Sequence, residues 1–227
     1  MGEISKHDCD ELELKGEIRQ DSTERGGRER GLELYEIYLG FKKEELEGKD
    51  VLDLGSGETE KFERELKEAG VSANVIPLNP DYSAGSFKNK LETTPGWQGK
   101  TVAASAQEMP FKEESFDRIF ALYSVTVFSH PFLHPEEAKK WMSEIARVLK
   151  PGGEARLAPA AEGPENTLEV WRGEFGDLLL DLEKQGLKCK VELVKNKEIG
   201  LTGPSAVSGK EMGENNLCAR IIIEKPK

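Results

Sequence analysis

The sequence predicts a Rossmann-like α/β fold: a doubly wound, mainly parallel sheet of seven strands whose last strand is antiparallel. Three observations predict it. Short apolar runs alternate with amphipathic stretches from Val51 onward. The first run, Val51–Leu54, leads directly into the glycine turn Gly55-Ser56-Gly57 and then into helical spacing. The last two runs have only a loop between them. Strand–helix alternation implies right-handed crossovers and parallel neighbours, and strands joined without a helix pair antiparallel.

Each element has its own signal. Leu34, Tyr35, Tyr38 and Phe41 recur at helical spacing, which predicts a helix over Leu32–Phe41 packed on the domain edge. Tyr35 and Tyr38, just ahead of the first strand, are candidates to cover the site. Glu58–Ala69 is expected as a helix with Phe62, Leu66 and Ala69 inward and Gly70 as its stop. Asn74–Leu78 and the weaker Lys100–Ala104 are the second and third strands, and Phe116–Ser124 is the fourth. Glu136–Lys150 is the clearest helix, with Ala138, Trp141, Met142, Ile145 and Leu149 along one face and Pro151-Gly152-Gly153 at its end. Glu154–Ala158 is the fifth strand, and Thr167–Lys184 a helix. Leu187–Val194 and Leu217–Ile223 are the last strands, joined by a polar loop over Lys195–Asn216. Pro77 is an anomaly, because proline donates no hydrogen bond to a ladder; a bulge or a poorly formed neighbouring strand accommodates it.

Length and composition bound the rest. With 227 residues, the chain reads as a charged N-terminal extension, 1–30, followed by one domain, 31–227. The net charge is −11 and there is no Lys/Arg block; Lys88 and Lys90 are too few to grip a phosphate backbone, so nucleic acid is disfavoured as a partner. Cys9, Cys189 and Cys218 are scattered and odd in number, which suits a reducing compartment and gives neither a disulfide framework nor a metal site. The first residues lack the apolar segment of a signal peptide. No apolar run reaches the ~20 residues a membrane span needs. The expectation is a soluble cytoplasmic protein.

The glycine turn carries the chemistry. Glycine bends the backbone tightly and lets a ligand approach it closely. The following helix offers unpaired N–H groups and a partial positive charge. Ligands of open α/β sheets bind beyond the carboxyl ends of the strands. A nicotinamide fingerprint is contradicted by Glu60 at the position of its third glycine, and a P-loop by the lack of GK[ST].

Three segments in this order, VLDLGSGETEKF, SAQEMPFKEESFDRIFALYS and EIARVLKPGGEARL, resemble the successive motifs of class I S-adenosylmethionine-dependent methyltransferases, most closely the type 11 branch, over about Lys49–Leu157. The resemblance implies S-adenosylmethionine as cofactor and a small molecule as methyl acceptor. It implies that Asp53, Gly55, Ser56 and Gly57 surround the methionine portion, that Asn79 and Asp81 at the end of the second strand hold the ribose, and that Ser105, Ala106 and Gln107 hold the adenine. Tyr123, near the end of the fourth strand, is implied as a further cofactor-binding residue, and the loop after Leu122-Tyr123-Ser124 then faces the methyl group and the acceptor. Thr59, Asn79 and Ser105 depart from the family's glycine and two acids. They leave open a second reading, a member of the same fold that has lost catalysis and serves as a binding or regulatory module. A third is a methyltransferase acting on protein.

Methyl transfer from a sulfonium is a displacement on an already activated carbon, so the protein chiefly orients the reactants and excludes water. A base is needed only when the acceptor loses a proton. His130, in the loop after the fourth strand, is the candidate catalytic base; His134, before Pro135, is read as the cap of the following helix. Asn79-Pro80-Asp81-Tyr82 follows the second strand, whereas the N-P-P-Y-like motif of amino-group methyltransferases follows the fourth, so it is read as a turn.

Overall fold

The computed structural model describes residues 30–84, 88–89, 92–95, 99–128, 134–163, 165–198, 203–204, 211–213 and 216–227. Five helices lie among them: α1 (Leu32–Leu39), α2 (Lys61–Glu68), the single turn α3 (Val125–Phe128), α4 (Pro135–Val148) and α5 (Glu165–Lys184). The strands are β1 (Asp50–Leu54), β2 (Asn74–Leu78), β3 (Phe116–Leu122), β4 (Leu149–Gly163), β5 (Lys188–Lys195), the short β6 (Gly203–Pro204) and β7 (Glu211–Met212), and β8 (Leu217–Glu224).

One sheet organises the domain, in the order β2-β1-β3-β4-β8-β5. Strands β2, β1, β3 and β4 are parallel, and β8 runs antiparallel between β4 and β5. The antiparallel end expected for the last two strands is therefore present, with the final strand inserted rather than added at the edge. Residues β6 and β7 form a separate two-stranded pair within the loop before β8.

The sheet has six strands, not the seven expected. The segment Lys100–Ala104 contributes a single parallel bridge, Leu78↔Val102. Pro77 supplies the reason. The Val102 N–H donates to Pro77 O at 2.9 Å, so that side of Pro77 faces the missing strand. A strand residue points its N–H and C=O to the same side, and proline has no N–H to offer there. Pairing stops after one bridge.

Alternate residues of each strand feed two cores. Leu52, Leu54, Ile119, Ala121, Ala155 and Leu157 pack with α4 and α5, through Trp141, Ile145 and Leu182. Val51, Phe120, Leu122 and Ala158 pack on the other face with α1 and α2, through Tyr35, Leu39, Phe62 and Leu66. Asp53 alternates with Leu52 and Leu54 and so belongs to the α1/α2 face. At the amino end of the sheet Lys150 bridges Asp50 at 2.6 Å and Asp117 at 2.9 Å, which closes the end away from the glycine turn.

Element boundaries differ from expectation for local reasons. Helix α1 stops at Leu39 because Gly40 adopts a left-handed φ of 70° and returns its N–H to Glu36 O. Helix α2 starts three residues late, at Lys61, because Glu60 is left-handed and occupies the N-cap; Ala69 is exposed beyond its end. Strand β4 begins at Leu149 and includes Pro151-Gly152-Gly153, so α4 passes into it without a loop.

Candidate active site

The carboxyl end of β1 gathers the site. Asp53 is 1% exposed. The Tyr35 hydroxyl donates to its Oδ1 at 2.7 Å, while Oδ2 has no partner. Burial pushes this carboxyl up to about 7; the Tyr35 hydrogen bond and the Arg30 charge oppose the shift, and Glu60 and Glu63 add to it. Burial and the neighbouring Asp53 push the Tyr35 phenol well up, so it remains a donor. Its ring is held by stacking on Phe62 at 4.2 Å. Sequence spacing placed Tyr35 near the site; nothing in the sequence identified Asp53 as its partner.

The two glycines of the turn have different reasons to be glycine. Gly55 has φ 85°, its N–H donates to Leu78 O at 2.7 Å, and a Cβ there would lie 2.3 Å from the Ser124 Cβ. Ser124 is itself held, donating to Leu54 O at 2.6 Å. Gly57 has φ 72°, and a Cβ there would meet no atom within 4 Å. Gly55 is demanded by the protein's own packing, and Gly57 borders open volume. Between them, Ser56 Oγ lies 2.6 Å from the Tyr82 hydroxyl. Because Tyr82 donates to Gly57 O at 3.0 Å, Ser56 donates to Tyr82. Tyr82 thus braces the turn, a role the sequence reading of its segment as a plain turn did not reveal.

The remaining candidates divide between turn formers and the site rim. Asn79 Oδ1 accepts the Asp81 N–H at 3.0 Å and caps a short 3-10 turn over Pro80–Ser83, so the turn reading holds; Asp81 is exposed. Ser105 Oγ donates to Gln107 Oε1 and accepts the Gln107 N–H at 3.1 Å, with Ala106 buried between them. Glu60, 2% exposed, accepts a hydrogen bond from the Thr101 hydroxyl. Tyr123 is buried with φ 51°; its hydroxyl donates to Tyr38 Oη at 2.6 Å, and the Arg30 guanidinium lies 4.7 Å over its ring. His130 lies outside the described residues. His134 occupies the N-cap position of α4, but its backbone carbonyl rather than its ring accepts from the helix, at Ala138 N, 2.9 Å.

Among the described residues, the buried side-chain polar atoms without partners belong to Asp53, Thr126 and Asn196. Asp53 is the penultimate residue of β1, Thr126 follows β3, and Asn196 follows β5. These three strands share one direction, so the orphaned groups mark the end of the sheet where α/β folds bind ligands. Among the described residues no cluster of His, Cys, Asp or Glu is arranged to hold a metal.

This sheet order, with the glycine turn after β1 and the buried acid beside it, is the Rossmann-like arrangement of class I S-adenosylmethionine-dependent methyltransferases. Residues 52–157 match the family model described as a methyltransferase domain, the type 11 branch expected from the motifs. A sterol 24-C-methyltransferase from Pneumocystis carinii (strain B80) is 28% identical, over 73% of this chain and 45% of that one. A Methanosarcina mazei S-adenosylmethionine-dependent methyltransferase superposes with a TM-score of 0.55 at 19% identity, covering 79% of this chain and 93% of that one. The Haemonchus contortus phosphoethanolamine N-methyltransferase 2, solved with phosphomonomethylethanolamine and S-adenosylhomocysteine, superposes with a TM-score of 0.50 at 17% identity, covering 83% and 51%. The chain spans less than half the length of the curated relatives it matches.

The residues present suit S-adenosylmethionine, the cofactor of this class. Its amino-acid end carries an ammonium, and the unpartnered Oδ2 of Asp53 is a buried acceptor for one. The open volume at Gly57 admits a ligand against bare backbone. When bound, the cofactor supplies a methyl group on a positively charged sulfur. The chain's own part would then be to hold the amino-acid end, orient the sulfur and keep water out.

Proposed function

We propose that this protein is a methyltransferase that transfers a methyl group from S-adenosylmethionine to a small-molecule acceptor. The observation that carries the proposal is the Asp53 carboxylate, buried, braced by Tyr35 on one oxygen and unpartnered on the other, beside the open turn at Gly57. The curated and solved relatives named for sterol and phosphoethanolamine methylation support a small acceptor, and the acidic surface supports no role on nucleic acid. The reading places the protein in the cytoplasm, in keeping with the free thiols of Cys189 and Cys218. Among the described residues no helix is long and apolar enough to cross a membrane. His130 serves as base only for an acceptor that ionises, such as a hydroxyl.

Isothermal calorimetry with S-adenosylmethionine, S-adenosylhomocysteine and NAD tests the proposal. Binding of the first two without NAD is the expected result; NAD binding alone overturns it.

The end of β2 gives a second test. Asn79 Oδ1 already accepts the Asp81 N–H, so the amide offers a ribose only the second lone pair of that neutral oxygen. Asn79→Asp keeps the cap and adds a charged acceptor. Hydrogen bonds to charged groups are worth about 1.5–3 kcal/mol against about 1 for neutral ones, so cofactor affinity is expected to rise roughly five- to tenfold. Titration of the Asn79→Asp and Asp81→Asn proteins checks this. If neither changes the dissociation constant, the end of β2 does not hold the ribose.

A further inference from the structure

We propose that Arg30, together with Asp53, reads the zwitterionic end of the cofactor, with the guanidinium taking the carboxylate while Asp53 takes the ammonium. The inference rests on the methyltransferase reading above and extends it to a residue outside the matched span of 52–157.

Four observations lead there. Arg30 and Asp53 lie close enough for each charge to act on the other's ionisation, yet no hydrogen bond or ion pair joins them. Two opposite charges at a shared site, left apart, suit a ligand that carries both signs. The central carbon of the guanidinium lies over the Tyr123 ring, 4.7 Å from its centroid. A cation–π contact is an attraction to the ring's electrons and takes up no acceptor, so the guanidinium keeps the fork of N–H donors that matches a carboxylate. The backbone that carries Arg30 is fixed: the Leu32 N–H donates to Glu65 Oε2 at 2.7 Å, and a Cβ at Gly31 would lie 2.1 Å from that same oxygen. The aromatic support is fixed as well, since Tyr123 is tied to Tyr38 through their hydroxyls and their rings meet edge-on at 5.1 Å. Arg30 is thus held at the end of the sheet where β1 and β3 finish, with its charge turned over the residues that follow them.

Burial lowers the pKa of Arg30, and the surrounding tyrosines and Asp53 counter this. A carboxylate arriving from the ligand adds a direct partner and completes the neutralisation of both residues, with no charge left over. A ligand lacking its carboxylate satisfies Asp53 and gives Arg30 nothing.

The test uses the full chain and two probes, S-adenosylhomocysteine and its decarboxylated analogue, which keeps the amino group. In the wild type, the analogue is expected to bind more weakly than S-adenosylhomocysteine. R30Q is expected to weaken S-adenosylhomocysteine binding roughly ten- to a hundredfold, as loss of a charge-assisted bidentate contact does, while changing the affinity of the analogue by less than about twofold, and R30K is expected to recover only part of the loss. D53N is expected to weaken both probes. Equal weakening of the two probes by R30Q, or no weakening of either, overturns the assignment of Arg30. A folded wild type that binds neither probe overturns instead the methyltransferase reading on which it rests.

Discussion

Asp53→Asn is expected to weaken cofactor binding by roughly two to three orders of magnitude while making the protein more stable at neutral pH. Both effects come from one buried carboxyl. In the free protein, burial holds it at about 7 instead of 3.8. Its folded-state value is raised, so the folded protein keeps a proton that the unfolded chain has already lost between pH 4 and 7. Stability therefore falls as pH rises through that window. A shift of this size corresponds to about 4 kcal/mol of unfavourable ionisation above pH 7. Asparagine keeps the acceptor for Tyr35 and removes the charge, but leaves a buried N–H₂ in place of Oδ2 at a cost of about 1–3 kcal/mol. The net gain is about 1–3 kcal/mol at pH 8 and none at pH 4, where the aspartic acid is already neutral. Against this, removing one member of a buried ion pair costs about 3–5 kcal/mol of binding. Thermal unfolding across a pH series and calorimetry on the same samples check both halves. If the variant is no more stable than wild type at pH 8, the carboxyl is not held near 7; if it binds the cofactor normally, Asp53 is not its anchor. In the wild type, affinity for the cofactor is expected to fall as pH drops below about 7, since the ammonium needs the ionised acid.

The second large effect separates two glycines that sequence alone treats alike. Gly55→Ala is expected to destabilise the fold by about 2–5 kcal/mol, combining overpacking with a left-handed backbone, because its Cβ lands on Ser124 at 2.3 Å. Gly57→Val shares the left-handed strain, at φ 72°, but meets no overpacking, because no atom lies within 4 Å of the new Cβ; it is expected to weaken cofactor binding roughly a hundredfold or more by filling that open volume. Denaturant unfolding and cofactor titration distinguish the two. A Gly57→Val protein that folds and binds normally places the cofactor elsewhere.

Local signals carried most of the fold. Helical spacing located α4 and α5, apolar runs located β1, β2, β3 and the last two strands, and the Gly55–Gly57 turn located the carboxyl end of the sheet where the site is built. What escaped were facts of pairing. Pro77 warned of a weak neighbour, but only the backbone direction, with Pro77 O facing Val102, shows that the blocked side is the outer one. The insertion of β8 between β4 and β5 is a choice among edges that spacing does not encode. The late start of α2 follows from Glu60 adopting a backbone shape that its residue type disfavours. In the site, sequence named Asp53 and the turn through family motifs, whereas the Tyr35–Asp53 bond spans 18 positions and the Ser56–Tyr82 contact 26, and neither leaves a periodic trace. Arg30 lay in a charged stretch that resembles solvent-facing chain, and only its place over Tyr123 sets it apart.

Pro77 also protects the molecule from its own kind. An open sheet ends in strands whose unpaired amides can recruit a strand from another chain, the first step toward aggregation. On β2 the outward proline removes a donor from that template, and a single bridge from Val102 covers part of what remains. At the other border β5 displays exposed Lys188, Lys190 and Lys195, whose charges would have to be buried by any strand that docked beside them. Both flanks are thereby closed to growth by different chemistry, one by a missing hydrogen bond and one by charge. Replacing Pro77 would extend the sheet and open a flank in the same step.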